Sequence, residues 1–383
     1  MLFIKNGYVK PIVGEDIENG CVLIGDDGKI AAIGAHIEAP EGAEVIDAGG
    51  MLVTPGCVEA HCHVGISGTP GVWQNSDINE KSDPITPHLR AIDAINPQDE
   101  ALFAAIRNGV TCACTGPGSA NVVGGQFVAI KLHGDRIDDM IVKFPLAMKC
   151  AFGENPKNFY GQTSKKAPVT RMQTAGLLRE LLAKARNYTE QKEAGNNPPY
   201  DMKLEAMIPV IKREIPLKAH AHRADDILTS IRIAKEFNVD LTLDHCTEGH
   251  LIADILANEG YPAIVGPFLP GKSKLELQNK GLATAGILHK AGVKVNVTTD
   301  APVIALCLLP YCAGLACKAG LPYDEAWRAI TINPATTTGI ADRVGSLEVG
   351  KDGDVVIWDS DPLRAVGAEA LLTVIEGRIV YRA

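Results

Sequence analysis

The 383-residue chain has no apolar stretch long enough to span a bilayer, no cluster of Lys and Arg, and no Cys-x-x-Cys spacing. The first absence excludes a transmembrane helix. The second, with a formal net charge of -9, argues against a surface for polyanions, so nucleic acid is not an expected partner. The third makes the 10 scattered cysteines reduced, mostly buried thiols rather than disulfides or a zinc knot. Met1-Leu-Phe-Ile-Lys-Asn-Gly7 lacks the apolar core and small-residue cleavage site of a signal peptide and reads as a short strand and turn. The cytosol is the expected compartment, with no membrane partner. Aromatic content is modest at 5%, yet 46% hydrophobic residues over this length suffice for one large core or two moderate ones.

The two ends share a texture. Leu2 to Ile4, Cys21 to Ile24 and Ile30 to Ile33 are short β-type runs broken by Asn6-Gly7, Asp26-Asp27-Gly28 and Gly49-Gly50. Gly345 to Trp358 and Thr373 to Tyr381 repeat that pattern, which predicts one small β domain from residues 1–55 and 345–383. Residues 56–344 instead alternate β runs with helical-period segments such as Pro97 to Asn108, Ala224 to Phe237 and Leu275 to Lys290. The β runs are Val58 to Ala60, Val110 to Cys114, Phe127 to Leu132, Phe144 to Cys150, Leu217 to Ala221, Leu241 to Leu243, Ala263 to Val265 and Val293 to Thr298. Eight such strands predict an α/β fold, a (β/α)8 TIM barrel.

Active sites of that barrel sit where the strands end, so polar residues just past the apolar runs share one cavity. His61 and His63 follow the first run, and strand alternation points both the same way, as a ligand pair for one metal ion. A second His-x-His, His220 and His222, ends the fifth; Asp244-His245 ends the sixth; Asp300 ends the last. Imidazoles and a carboxylate converging on one cavity suit a divalent metal that activates water.

Pro55-Gly-Cys-Val-Glu-Ala-His-Cys-His63, Lys218-Ala-His-Ala-His222, Asp244-His245, Thr299-Asp300-Ala-Pro302, Asn333-Pro-Ala335 and Gly345 to Ile357 together resemble the amidohydrolase superfamily, metal-dependent hydrolases with a barrel and a small β-sandwich. The texture is similar to the imidazolonepropionase-related branch, with Glu59 where relatives usually carry Asp. The resemblance implies that His61 and His63 bind the more buried metal, that His220 and His245 complete the site, and that Asp300 is both ligand and proton shuttle. The alternative for Asp300 is a helix cap. His222 would either orient the substrate or be a surface residue. The remaining ligand would be either Glu154, in Gly153-Glu-Asn-Pro156, or a carbamylated Lys149, with Glu154 slightly preferred. One or two ions hang on that choice; zinc is the first expectation, with manganese or iron as alternatives.

Two long excursions, Gly65 to Pro97 and Gly153 to Pro199, flank these motifs, and His88 and Arg90 in the first are candidate substrate contacts. Gly116 to Gly125 is glycine-rich but lacks the ending of a phosphate loop. The function implied is hydrolysis of a C–N bond, an amide or cyclic amide of an amino-acid-derived small molecule. A nucleobase-like deaminase is the alternative. A non-catalytic assembly protein would have lost the histidines or the terminal Asp that this chain keeps. A homo-oligomer is the expected assembly.

Overall fold

The structure, a computed structural model, describes residues 1–69, 71–269 and 271–383. Its centre is a sheet of eight strands: β1 (Cys57–Cys62), β2 (Val110–Thr115), β3 (Val123–Lys131), β4 (Ile141–Ala151), β5 (Leu217–Ala221), β6 (Leu241–His245), β7 (Ala263–Val265) and β8 (Val295–Val297), hydrogen-bonded in chain order. They overlap the eight sequence-predicted runs closely, because runs rich in Val, Ile, Ala and Cys bury both faces.

The barrel departs from the regular alternation in one wall. β3 is antiparallel to both β2 and β4, while every other adjacent pair is parallel. The reason lies in the connection: residues 116–122 carry no helix, and a parallel neighbour needs a crossover of roughly a dozen residues or more. β3 therefore starts at the rim where its neighbours end, and the glycine-rich link lies at the mouth. Segment 85–90 runs beside β3 through bridges at Ile85–Val123 and Arg90–Gln126.

The other crossovers are helical. Ala224–Phe237 lies between β5 and β6 as expected, with Asn238 ending it in the left-handed conformation. Thr170 caps the long helix Arg171–Glu193 by accepting from Gln173 N–H. The helical period expected over Leu275 to Lys290 resolves into a 3-10 turn, Leu275–Leu277, and a separate helix, Thr284–Lys290. Gln278-Asn-Lys-Gly281 interrupts it, since glycine and polar side chains favour turns.

Both termini build the second sheet. Strands Arg378–Arg382, Ala370–Ile375, Val355–Trp358, Leu52–Pro55, Leu2–Val9, Ile17–Ile24 and Ile30–Gly34 form one continuous path, with Glu44–Asp47 pairing Leu2–Val9. Ile4, Val22, Val53, Val355 and Leu372 from along that path share one core, so the sheet curls around its own interior. Lys131 at the end of β3 locks this domain to the barrel, its Nζ 2.7 Å from Asp354 Oδ2 and 3.1 Å from Asp352 Oδ2.

No strand ladder joins β8 to β1 among the described residues. That seam is bridged by Thr298 Oγ1 donating to His61 O (2.7 Å) and His63 N–H donating to Ala301 O (2.7 Å).

Candidate metal centre

Glu59, His61 and His63 alternate onto one side of β1 and its extension. Glu59 is fully buried and its carboxylate accepts from His61 N–H (3.0 Å), Thr299 N–H (2.8 Å) and Thr299 Oγ1 (2.6 Å). Burial raises its pKa, and those donors work the other way. The longer Glu in place of Asp thus ties β1 to the turn that presents Asp300.

Two ligand candidates need backbone that a strand cannot supply. Alternation would turn His245 away from the side on which Asp244 meets Lys218 and His61. His245 instead adopts φ +70° and Asp300 φ +53°, a conformation uncommon for residues other than glycine, and each side chain is brought into the cluster. Gly266, at φ +144°, is required for the same reason: a Cβ there would stand 2.2 Å from Thr298 O. Its carbonyl lies 2.9 Å from His245 Nδ1.

His61, His63 and His245 are held in defined tautomers by partners that only accept. His63 Nδ1 lies 2.6 Å from Gly116 O, and a carbonyl only accepts, so the proton of the neutral ring is on Nδ1 and Nε2 carries the lone pair. Gly266 does the same for His245. Asp244 Oδ2 lies 2.9 Å from His61 Nδ1, and Thr247 Oγ1 2.7 Å from His222 Nδ1. Burial first, then the charge of Lys149, lowers the pKa of His61 to about 3, which keeps that ring neutral.

The freed nitrogens converge on a carboxylate. Nε2 of His61 and of His63 lie 3.4 and 3.3 Å from Asp300 Oδ1. In the neutral rings these are acceptors facing an acceptor, an arrangement that a cation relieves. The donor set, imidazole nitrogen with carboxylate oxygen, suits a divalent transition metal. His61, His245 and Asp300 lie close enough to share one ion, and His220, His222 and Glu276 form a second such group beside them. The His220 ring centroid is 4.4 Å from that of His245.

Lys149 stands in the cluster. It is fully buried on β4, with Nζ 3.3 Å from His61 Nε2 and 3.6 Å from Asp244 Oδ2. Glu154, which the sequence reading preferred, is turned elsewhere: its Oε2 accepts from Glu276 N–H (3.3 Å) and its Oε1 from Asn158 Nδ2 (3.2 Å). Gly153, at φ +76°, turns the chain after β4, so Glu154 opens a short helix, Glu154–Lys157, instead of extending the strand. His88 is half-buried in the segment beside β3 and is not among the residues lining the cavity, and exposed Arg90 pairs with Asp93.

A cavity of about 300 Å³ opens onto the cluster, lined by His63, His220, His222 and Asp300 with Asn79, Ser119, Asn155, Lys274 and Lys280. Sequence reasoning missed Lys274 and Glu276. Lys274 Nζ sits 2.7 Å from buried Glu276 Oε1 and donates to Asn155 Oδ1 (2.9 Å); Asn155 Nδ2 in turn lies 3.2 Å from His220 Nε2. A Lys-Ser-Lys-Leu-Glu run in a connecting segment reads as solvated polarity, and no periodicity marks its Glu as buried. Lys218 was seen only as part of a motif. It is buried, with Nζ 3.3 Å from Asp244 Oδ1, behind His61.

The amidohydrolase family model matches residues 52–380 of this chain. The amidohydrolase tasK of Hapsidospora irregularis is 31% identical over 368 residues, covering 89% of this chain, which spans 37% of that protein's length. The imidazolonepropionase of Bacillus velezensis is 26% identical over 373 residues, 87% of this chain and 82% of that protein. The crystal structure of an amidohydrolase from Thermotoga maritima is 40% identical, covers all of both chains and superposes with a TM-score of 0.96. The chain belongs to the amidohydrolase family, on its imidazolonepropionase-related side, and is a hydrolase of carbon–nitrogen bonds.

Proposed function

We propose that this enzyme hydrolyses an amide or cyclic amide of an amino-acid-derived small molecule, using a divalent metal at the centre described above. The observation that carries the metal reading is the meeting of imidazole lone pairs, fixed by Gly116 O and Asp244, with the Asp300 carboxylate. His61, His63, His220, His245 and Asp300 would hold the ion or ions, with zinc first and manganese or iron as alternatives. Lys149, carbamylated on Nζ, would add an anionic ligand between two ions. Burial lowers its ammonium pKa to about 8, so the neutral amine that carbamylation requires is accessible.

Bound there, a divalent ion supplies Lewis-acid activation of water and of the scissile carbonyl. Asp300 accepts the proton of the attacking water and returns it to the leaving nitrogen. Burial favours its neutral form, but His245, His61 and His63 outweigh this and hold the carboxyl well below its usual range, so it starts as a base. His222, steadied by Thr247 and with its Nε2 3.6 Å from Glu276 Oε1, lines the cavity, where it would orient substrate.

A deaminase of a nucleobase-like ring is less well supported. Among the described residues lining the cavity the aromatic rings are imidazoles already engaged in the cluster, and none is Phe, Tyr or Trp, so a planar base meets no large aromatic face there. The retained ligands weigh against a non-catalytic assembly role. The test is metal analysis of the purified protein with hydrolysis assays on N-acyl amino acids, dipeptides, hydantoin-like rings and imidazolone acids. Bound metal and turnover of one of these classes is expected. Near-zero metal after reconstitution, or ammonia release from nucleobases alone, would overturn the reading.

A further inference from the structure

We propose that the substrate carries a second carbonyl besides the one under attack, and that Ser119 and Asn79 receive its oxygen. The inference rests on the hydrolytic reading above and names the substrate class of that same cavity. Both residues line it, Asn79 from the first excursion and Ser119 from the glycine-rich link between β2 and β3. Two hydrogen bonds hold those segments side by side: Gly118 N–H donates to Ile78 O (2.8 Å) and Ala120 N–H to Asn79 Oδ1 (2.9 Å). They fall on either side of Ser119, so the two side chains are neighbours at the mouth.

Which atoms donate follows from what each partner can do. Lys274 Nζ only donates, and it meets Asn155 Oδ1 at 2.9 Å, so the Asn155 NH2 lies on the other side, 2.7 Å from Ser119 Oγ. Ser119 Oγ therefore accepts from Asn155. An amide nitrogen accepts nothing in return, and no other acceptor meets that hydroxyl among the described residues, so its own proton is left for a ligand. Asn79 is fixed likewise: its oxygen is taken by Ala120 N–H, and its NH2 has no partner among the described residues. The charge at the head of this relay is matched, since Lys274 Nζ lies 2.7 Å from buried Glu276 Oε1. What Ser119 and Asn79 present is a pair of neutral donors, and a carbonyl oxygen has two lone pairs to meet them. Ile78, Pro267, Leu277, Pro302 and Val303 add an aliphatic wall, which suits a saturated body. A dipeptide, an N-acyl amino-acid amide or a hydantoin-like ring has the second carbonyl; a simple N-alkyl amide does not.

The experiment titrates the metal-loaded enzyme calorimetrically with N-acetyl-L-leucinamide, which has the second carbonyl, with N-acetyl-3-methylbutylamine, which lacks it, and with N-acetyl-L-leucine. The wild type is expected to bind the leucinamide about 10- to 100-fold more tightly than the methylbutylamine, the range for two neutral hydrogen bonds. Ser119→Ala should remove about 2- to 10-fold of that preference and Ser119→Thr should keep it. Asn79→Asp, which retains the oxygen for Ala120 and exchanges the donor for an acceptor, should lower it as well. Lys274→Met should match Ser119→Ala, because Asn155 is then free to turn its oxygen toward the Ser119 hydroxyl. Equal binding of the two neutral probes by the wild type, binding of neither, or a preference indifferent to Ser119 overturns the proposal. So does tighter binding of N-acetyl-L-leucine than of the leucinamide, which would make the subsite one for an anion. A Ser119-dependent preference with no hydrolysis of any amide would sink the hydrolytic reading and leave the carbonyl subsite standing.

Discussion

Replacing Asp244 by Asn should disable His61 as a ligand while leaving the barrel's shape intact. In the native site Asp244 Oδ1 accepts from Thr242 Oγ1 (3.0 Å) and Lys218 Nζ (3.3 Å), and Oδ2 faces His61 Nδ1 at 2.9 Å, with Lys149 farther off at 3.6 Å. A carboxamide must place its oxygen on one side and its NH2 on the other. Lys218 can only donate, so the oxygen stays on its side and the NH2 is set against His61 Nδ1. The ring then keeps its lone pair on Nδ1 and its proton on Nε2, the nitrogen that faces Asp300. Loss of such an outer partner costs about 10–100-fold in metal affinity. With the wrong tautomer enforced, the upper end is expected, about 100-fold or about 2.7 kcal/mol. Chelator competition on the reconstituted protein measures it. The same logic predicts non-additivity: Lys218→Met frees the carboxamide to flip, so the double variant should bind metal about tenfold more tightly than Asp244→Asn alone. An affinity within about threefold of wild type for Asp244→Asn, or strictly additive effects, would refute the reasoning.

Three further substitutions test other parts of the structure. Asp300→Asn should lower kcat by about 10²–10⁴-fold, the span of general acid–base catalysis, with the circular dichroism of the fold unchanged; retained turnover removes its proton-transfer role. Lys149→Met should reduce the metal content per chain in mass spectrometry, whereas Glu154→Gln should not, and the reverse result reassigns the ligand. Lys131→Met leaves buried Asp354 and Asp352 without their shared cation and should cost about 3–5 kcal/mol in denaturant unfolding; adding Asp354→Leu should recover part of it.

Much of this molecule is legible in its residues, for physical reasons that also explain what is not. Buried barrel strands must be apolar on both faces, so the runs from Val58 to Val297 announce themselves, and period-two alternation places His61 beside His63. Strand direction leaves no such trace. The reversal of β3 was signalled only by the missing helical period between Cys114 and Phe127. The choice between Lys149 and Glu154 depends on where a strand stops, and Gly153 decides that through a backbone angle no composition reveals. His245 would have been dismissed on alternation alone. Lys274 and Glu276 come from the segment after β7, whose polar texture is shared with any solvated loop.

The join between the last strand and the first gives the enzyme an unusual mechanical property. Across it Glu59, His61 and His63 are fastened to Thr298, Thr299 and Ala301, so the stave that shuts the cask is the one that carries the reactive groups. Zipping up the cylinder and gathering its imidazoles around Asp300 are one event. Loosening Glu59 should therefore lower the melting temperature of metal-free protein and its grip on the ion together.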